Sequence, residues 1–312
     1  MTRPRHPAVA ALGAEPGVYR FRDARGRVLY IGRAVDLRRR VSSYWGELAG
    51  RRHLRRMIPQ IDRVEALTCD SEHEAAWLER NLHERTLPRW NRTAGGQEVP
   101  VYIRIDSRSR SAGLTVVHEP NPQVGTDVFG PYLGGVRVRT AVAALHRVLP
   151  LAYASDRLTG AERDMARARG VVHHDRAALV GTLVAVLNRD RDAVATVRGD
   201  LARRRDAASA ALAFEHAARI HAEIDAIDWV VAPQRMTLPR TPGGGPTIAG
   251  WADGLLVEFE VRDGRLDGWR QRACAPTTAR RRLDETPPEW VAFAQRNAAL
   301  AARLLRAQAG PS

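Results

Sequence analysis

GVYRFRDARGRVLYIG, residues 17–32, decides how this chain is read. Residues 17–22 and 27–32 alternate as strands do, and Asp23-Ala24-Arg25-Gly26 between them has the composition of a hairpin turn. Beyond it, Asp36 can cap a helix running from Leu37 through Arg40 to Tyr44. Arg51–Ile61 reads as a second basic helix and Val64–Cys69 as a third strand. Ser71, with Glu74 three residues later, has the pattern of a capping box that opens a helix to about Arg85, and Pro88 ends it. On that helix Ala75, Leu78 and Leu82 form an apolar stripe at helical spacing, and Glu79 falls inside or beside it. A carboxylate in that position needs a partner, which can be an arginine at the stripe's edge, a hydrogen-bond network or a metal ion.

The 312 residues carry a formal net charge of +14 and a sequence pI of about 11.1, which points to a polyanionic partner, nucleic acid above all. All 49 basic residues are arginine. Its planar fork of donors suits phosphate; GC-rich coding also explains a choice of arginine over lysine, but not the surplus of positive charge. Cys69 and Cys274 stand far apart with no CxxC, so neither a disulfide framework nor a structural zinc site is expected. His173-His174 has no further ligands at metal spacing and reads as a solvated loop. No signal peptide or membrane-length apolar run is seen, and a soluble, cytoplasmic protein is expected.

Further along, Val101–Ile105 reads as a strand, Phe129-Gly130-Pro131-Tyr132 as a turn and Arg139–Val148 as a helix. Arg189–Trp229 reads as a helical hairpin, and 232–248 is a Pro/Gly-rich linker. A β-hairpin over Leu255–Val261 and Leu266–Arg272, turning at Asp263-Gly264, precedes a final helix over about Glu289–Arg306.

Hydrolysis of a phosphodiester needs an oriented water, charge stabilisation on the phosphoryl oxygens and a stabilised leaving oxygen. Tyr19, Tyr30, Arg33, Arg40, Tyr44 and Glu79 provide suitable groups on elements that can converge. A tyrosine takes a proton from water only if its pKa falls well below about 10. Tyr44 can equally be an aromatic packed on the basic helix.

Pro16-Gly17-Val18-Tyr19, Val28 to Ala34, Asp36 to Tyr44, Ser71 to Ala75, Glu79-Arg80-Asn81-Leu82 and Pro88-Arg89-Trp90-Asn91 together resemble the GIY-YIG nucleases, and among them the N-terminal half of UvrC, in order and spacing. The resemblance implies an α+β fold: a short three-stranded antiparallel sheet flanked by helices, then a mixed region, a helical hairpin and a small β-hairpin/helix segment. It implies a metal-dependent DNA endonuclease of excision repair that makes the 3′-side incision. Glu79 would be the sole protein ligand of one Mg²⁺ or Mn²⁺, and Tyr19 the general base or water-orienting phenol. Tyr30 and Tyr44 would orient water and phosphate, Arg40 would stabilise transition-state charge, and Asn91 would hold the site by hydrogen bonding. Arg33 stands where UvrC usually has lysine.

The implied domains are a nuclease domain over 1–95, a UvrC-like middle region over 96–188, a UVR-like hairpin over 189–231, the linker 232–248, and a remnant over 249–312 that precedes an absent second nuclease domain. The stretch that would hold an iron–sulfur cluster, Leu149–Ser155, has no cysteine, so no cluster is expected. Leu212, Phe214, Glu215, Ala217, Ile220 and Ile224 of the hairpin would bind UvrB, although packing against the parent domain also satisfies their apolar surface. Arg38, Arg39, Arg51, Arg52, Arg55 and Arg56 are expected to contact DNA phosphates. The alternatives are a non-catalytic UvrB- or DNA-binding regulator, a nuclease acting on RNA or replication intermediates, and a module of an exonuclease-linked repair protein.

Overall fold

The computed structural model describes residues 6–46, 52–91, 98–111, 113–237 and 245–309. Strands β1 (Gly17–Arg22), β2 (Val28–Ala34) and β3 (Arg63–Thr68) form an antiparallel sheet in the order β2-β1-β3. The β1–β2 turn closes on Asp23, whose carboxylate accepts the backbone N–H groups of Arg25 and Arg27 at 3.0 and 2.9 Å. Gly26 takes the left-handed conformation there, φ 75°, which favours glycine. Helix α1 (Leu37–Ser42) is capped by Asp36, which accepts the N–H of Arg39 at 2.7 Å.

The basic helix expected over 51–61 is instead two short 3₁₀ turns, 52–56 and 58–60. Pro59 lacks the N–H a continuous helix would use and obstructs the preceding turn. Helix α2 (Glu72–Arg85) begins at the expected cap, with Ser71 Oγ accepting the N–H of Glu74 at 3.0 Å. The capping box is shifted by one residue, because the Glu74 carboxylate accepts from the N–H of Asp70, at 2.8 Å.

A second compact unit takes Glu98–Ala232. Its sheet has β4 (Val101–Asp106) between β5 (Leu114–Val117) and β6 (Thr126–Tyr132). Phe129–Tyr132 is therefore strand rather than turn, since Phe129 pairs with Ile103 and Tyr132 with Val101. Helices α3 (Gly135–Val148), α4 (Gly160–Ala168), α5 (Arg176–Leu187), α6 (Arg191–Ala210) and α7 (Phe214–Val231) follow. Val138, Leu145, Leu183, Leu201, Ile220, Ile224 and Ile227 share one core with the inner face of that sheet.

The chain then returns to the first unit through β7 (Ile248–Ala252), β8 (Leu255–Arg262) and β9 (Arg265–Ala273), an antiparallel sheet in sequence order, and helices α8 (Pro276–Asp284) and α9 (Pro288–Ala309). Residues up to Asn91 and those from Pro233 to Ala309 form one compact unit. The segment expected from sequence as a C-terminal remnant thus packs within the first unit, and the expected middle region and hairpin share the second. Leu300 and Leu304 of α9 enter the core under the first sheet beside Leu12, Phe21, Leu37 and Val41.

The reason lies in the edges of the first sheet. An edge strand presents unpaired N–H and C=O groups that must find partners. Along β3, Asn297 Oδ1 accepts the N–H of Thr68 at 2.7 Å and its Nδ2 donates to the Thr68 carbonyl at 3.1 Å. Gln308 treats Val64 the same way, at 2.7 and 3.1 Å. On the opposite edge the Asn91 side chain pairs with Ile31.

Candidate active site

The tripeptides of residues 17–19 and 30–32 are adjacent because β1 and β2 pair with Tyr19 opposite Gly32. A Cβ on Gly32 would lie 2.5 Å from the Tyr19 hydroxyl, and one on Gly17 2.1 Å from the Leu67 carbonyl oxygen. Both glycines are thus required by close approach.

Tyr19 is fully buried, and its hydroxyl lies 2.7 Å from that of Tyr44. The Tyr19 and Tyr30 rings stack at 6.2 Å between centroids, and Tyr44 meets both edge-on at 5.9 Å. Arg40 Nε donates to the Tyr19 hydroxyl at 3.3 Å. Burial pushes all three phenols up from their ordinary value of 10, and the nearby Arg40 charge only partly opposes it. That burial favours the neutral, hydrogen-bonding form of Tyr19.

Glu79 comes to the same mouth from α2. Its Oε1 accepts the backbone N–H of Arg33 at 3.1 Å, and its Oε2 lies 3.2 Å from Arg33 Nε. The Glu79 side chain is one quarter exposed, 25%. Burial raises its pKa, and the Arg33 and Arg40 charges pull the other way. Asn91 lies behind β2, with Oδ1 accepting from the Ile31 N–H at 3.0 Å and Nδ2 donating to the Ile31 carbonyl at 2.8 Å.

Among the described residues no group of three His, Cys, Asp or Glu side chains could hold a metal ion. One accessible carboxylate fits Mg²⁺ all the same, since that ion keeps several waters and takes one or two carboxylates plus substrate phosphate. Zinc or calcium would require more protein donors.

Arg38, Arg39, Arg55 and Arg56 are exposed, although Arg38 Nε also donates to the Leu12 carbonyl at 2.6 Å. Arg51 and the Arg52 side chain lie outside the described residues. Of the hairpin residues, Leu212 and Phe214 are 73% and 63% exposed, Glu215 is exposed and Ala217 half-buried. Ile220 and Ile224 are buried in the core of their own unit and leave the list of partner-facing side chains, a correction made by packing against α3.

Sequence reasoning passed over Asn81, Arg235 and Asn297. Asn81 and Asn297 are at most 1% exposed and fully hydrogen-bonded through their amide nitrogens. Polar residues in apolar helical stripes were the available signal.

This sheet, with its paired tyrosines and facing carboxylate, is that of a GIY-YIG endonuclease domain. Residues 15–92, which hold this sheet, match the family described as the UvrC-like GIY-YIG domain. Along most of its length it is similar to proteins named UvrABC system protein C. One from Trichlorobacter lovleyi is 29% identical over 282 residues, 84% of this chain and 44% of that protein. One from Mycobacterium sp. strain KMS is 32% identical over 281 residues, 85% and 41% respectively. The chain thus spans less than half the length of these relatives. The GIY-YIG N-terminal endonuclease domain of UvrC from Thermotoga maritima, solved bound to its catalytic divalent cation, magnesium, is 32% identical over 27% of this chain and 90% of that one, with a TM-score of 0.25. No described helix is long and apolar enough to cross a membrane.

Proposed function

We propose that this chain is a Mg²⁺- or Mn²⁺-dependent DNA endonuclease that hydrolyses one phosphodiester, of the 3′-incision type, in nucleotide excision repair or related DNA processing. The observation that carries the reading is a single accessible carboxylate, Glu79, facing Arg33 at the mouth of a hydrogen-bonded tyrosine cluster that also holds Arg40.

In this reading Glu79 holds one divalent ion. When bound, that ion neutralises charge on the phosphoryl and leaving oxygens. Water attacks phosphorus and the bond to the 3′ oxygen breaks, leaving a 3′-hydroxyl and a 5′-phosphate. Tyr19 and Tyr44, neutral and mutually hydrogen-bonded, orient the water, with Tyr30 packed against them. Arg40 neutralises the phosphoryl oxygens, and Arg33 adds to this once it leaves Glu79. Arg38, Arg39, Arg51, Arg52, Arg55 and Arg56 engage backbone phosphates. The exposed hairpin tip, Leu212, Phe214 and Glu215 with Ala217 beside them, docks UvrB or a UvrB-like protein.

A nicking assay on a lesion-bearing duplex, with and without UvrB, tests the reading. Nicking that Glu79→Ala abolishes while DNA binding survives is the expected result; unchanged nicking by that variant defeats the assignment. A second reading, a regulator that binds DNA and UvrB without cutting, draws on the Arg33–Glu79 ion pair, which occupies the carboxylate. Partner binding with no cleavage of damaged duplex, flap or bubble in Mg²⁺ or Mn²⁺ would favour it.

A further inference from the structure

Helix α2 carries Glu79 on the face turned to β2, where it meets Arg33. At about 100° per residue, Glu74, Asn81 and Arg85 lie roughly 200–240° around the helix from Glu79, on its back. Residues 233–236 and 260–267 hold that back face at successive points. Ser71 Oγ, at the cap, donates to the Pro233 carbonyl at 2.6 Å. Glu74 accepts the Arg235 backbone N–H at 3.0 Å and faces its guanidinium at 3.3 Å, while Arg235 also bonds Asp70. Asn81 donates through Nδ2 to the carbonyls of Met236 and Leu266, at 3.1 and 3.0 Å. Arg85 bonds Glu260 and lies 3.5 Å from Asp267.

Attachments at the start, middle and end of one helix set its rotation about its own axis as well as its position. With a Cα radius of about 2.3 Å and an extended glutamate beyond it, a 10° rotation moves the carboxylate by roughly 1 Å. Metal–ligand distances tolerate about 0.2 Å. A small loosening of the back face therefore spoils the front.

We propose that residues 233–236 and 260–267 are part of the nuclease centre: Asn81 and Arg235 are positioning residues that lock the rotation of α2 and thereby place the Glu79 carboxylate for its divalent ion. This rests on Glu79 being the metal ligand. The nuclease centre is then assembled from two stretches of chain on either side of residues 98–232.

The test uses the full chain and Mn²⁺ alone, without DNA, with binding followed by electron paramagnetic resonance and stability by thermal unfolding. Asn81→Leu and Arg235→Met are compared with wild type, with Glu79→Ala, and with Gln308→Leu, which loosens the β3 edge and bonds nothing on α2. Mn²⁺ affinity should fall on the order of tenfold in both clamp variants, the low end for groups that orient a ligand. Gln308→Leu should lose stability and keep its affinity. Wild-type Mn²⁺ affinity in Asn81→Leu and Arg235→Met, with Glu79→Ala unable to bind, overturns the clamp and leaves the site reading standing. Equal binding by wild type and Glu79→Ala overturns both. Should Asn81→Leu fail to fold, Arg235→Met decides, because its side chain is 27% exposed and sits at the rim.

Discussion

Arg33 engages both carboxylate oxygens of Glu79, with its main-chain N–H on Oε1 at 3.1 Å and its guanidinium on Oε2 at 3.2 Å. The two contacts differ in kind. The N–H is fixed by the β1–β2 pairing, whereas the guanidinium is 45% exposed and its ion pair is worth under about 1 kcal/mol. A divalent ion can displace it at small cost. Arg33→Ala is therefore expected to tighten Mn²⁺ binding severalfold without DNA, measured by titration calorimetry. It should also weaken DNA binding and reduce the slope of log affinity against log salt by about 0.9, one phosphate contact.

Glu79 titrates above its ordinary value of 4.5, chiefly because it is buried. Metal binding needs the ionised form, so affinity should begin to fall at a higher pH than for an exposed carboxylate. The stability effect has the opposite sign. A folded-state pKa above the unfolded one means the folded protein binds the proton more tightly, so ionised Glu79 destabilises at neutral pH and the cost disappears below about 4.5. Glu79→Gln should raise the melting temperature at pH 7 to 8, by a margin that closes on acidification, while abolishing nicking. A lower melting temperature at pH 7 would contradict this.

Tyr19 and Tyr44 are expected to remain phenols throughout the neutral range, because burial drives both upward. The ultraviolet difference titration between wild type and Tyr19→Phe should show no phenolate signal below about pH 10. Tyr19→Phe should cost about 1 kcal/mol of stability, the price of one buried hydrogen bond. Its nicking rate should fall at least about 100-fold.

Leu212 and Phe214 at the hairpin tip separate docking from folding. Phe214→Asp with Leu212→Asp should leave the melting temperature within about 1 °C of wild type, since exposed substitutions move stability little. The same pair should abolish binding to purified UvrB in a biosensor assay. Ile220→Asp, which puts a charge into a fully buried position, should unfold its unit at a cost above about 4 kcal/mol.

Leu304 of α9 provides a check on the shared core of the first unit. Leu304→Ala should destabilise by about 2–4 kcal/mol, seen in urea unfolding followed by tryptophan fluorescence.

Much of this protein follows from local rules that act within a few residues. The strands at 17–22 and 28–34, the Asp36 and Ser71 caps and the helical hairpin obey periodicity and capping chemistry. The candidate site residues were legible because phenols, guanidiniums and a stripe-edge carboxylate are chemically conspicuous. The sequence by itself thus determined these elements and which groups could act. Only the tertiary structure decided that α9, with residues 233–236 and 260–267, completes the first unit, because no local pattern states which sheet edge an Asn or Gln amide will pair with. It also decided that Tyr19 is fully buried and that Ile220 faces a core, since burial depends on everything packed around a group rather than on its neighbours in the chain.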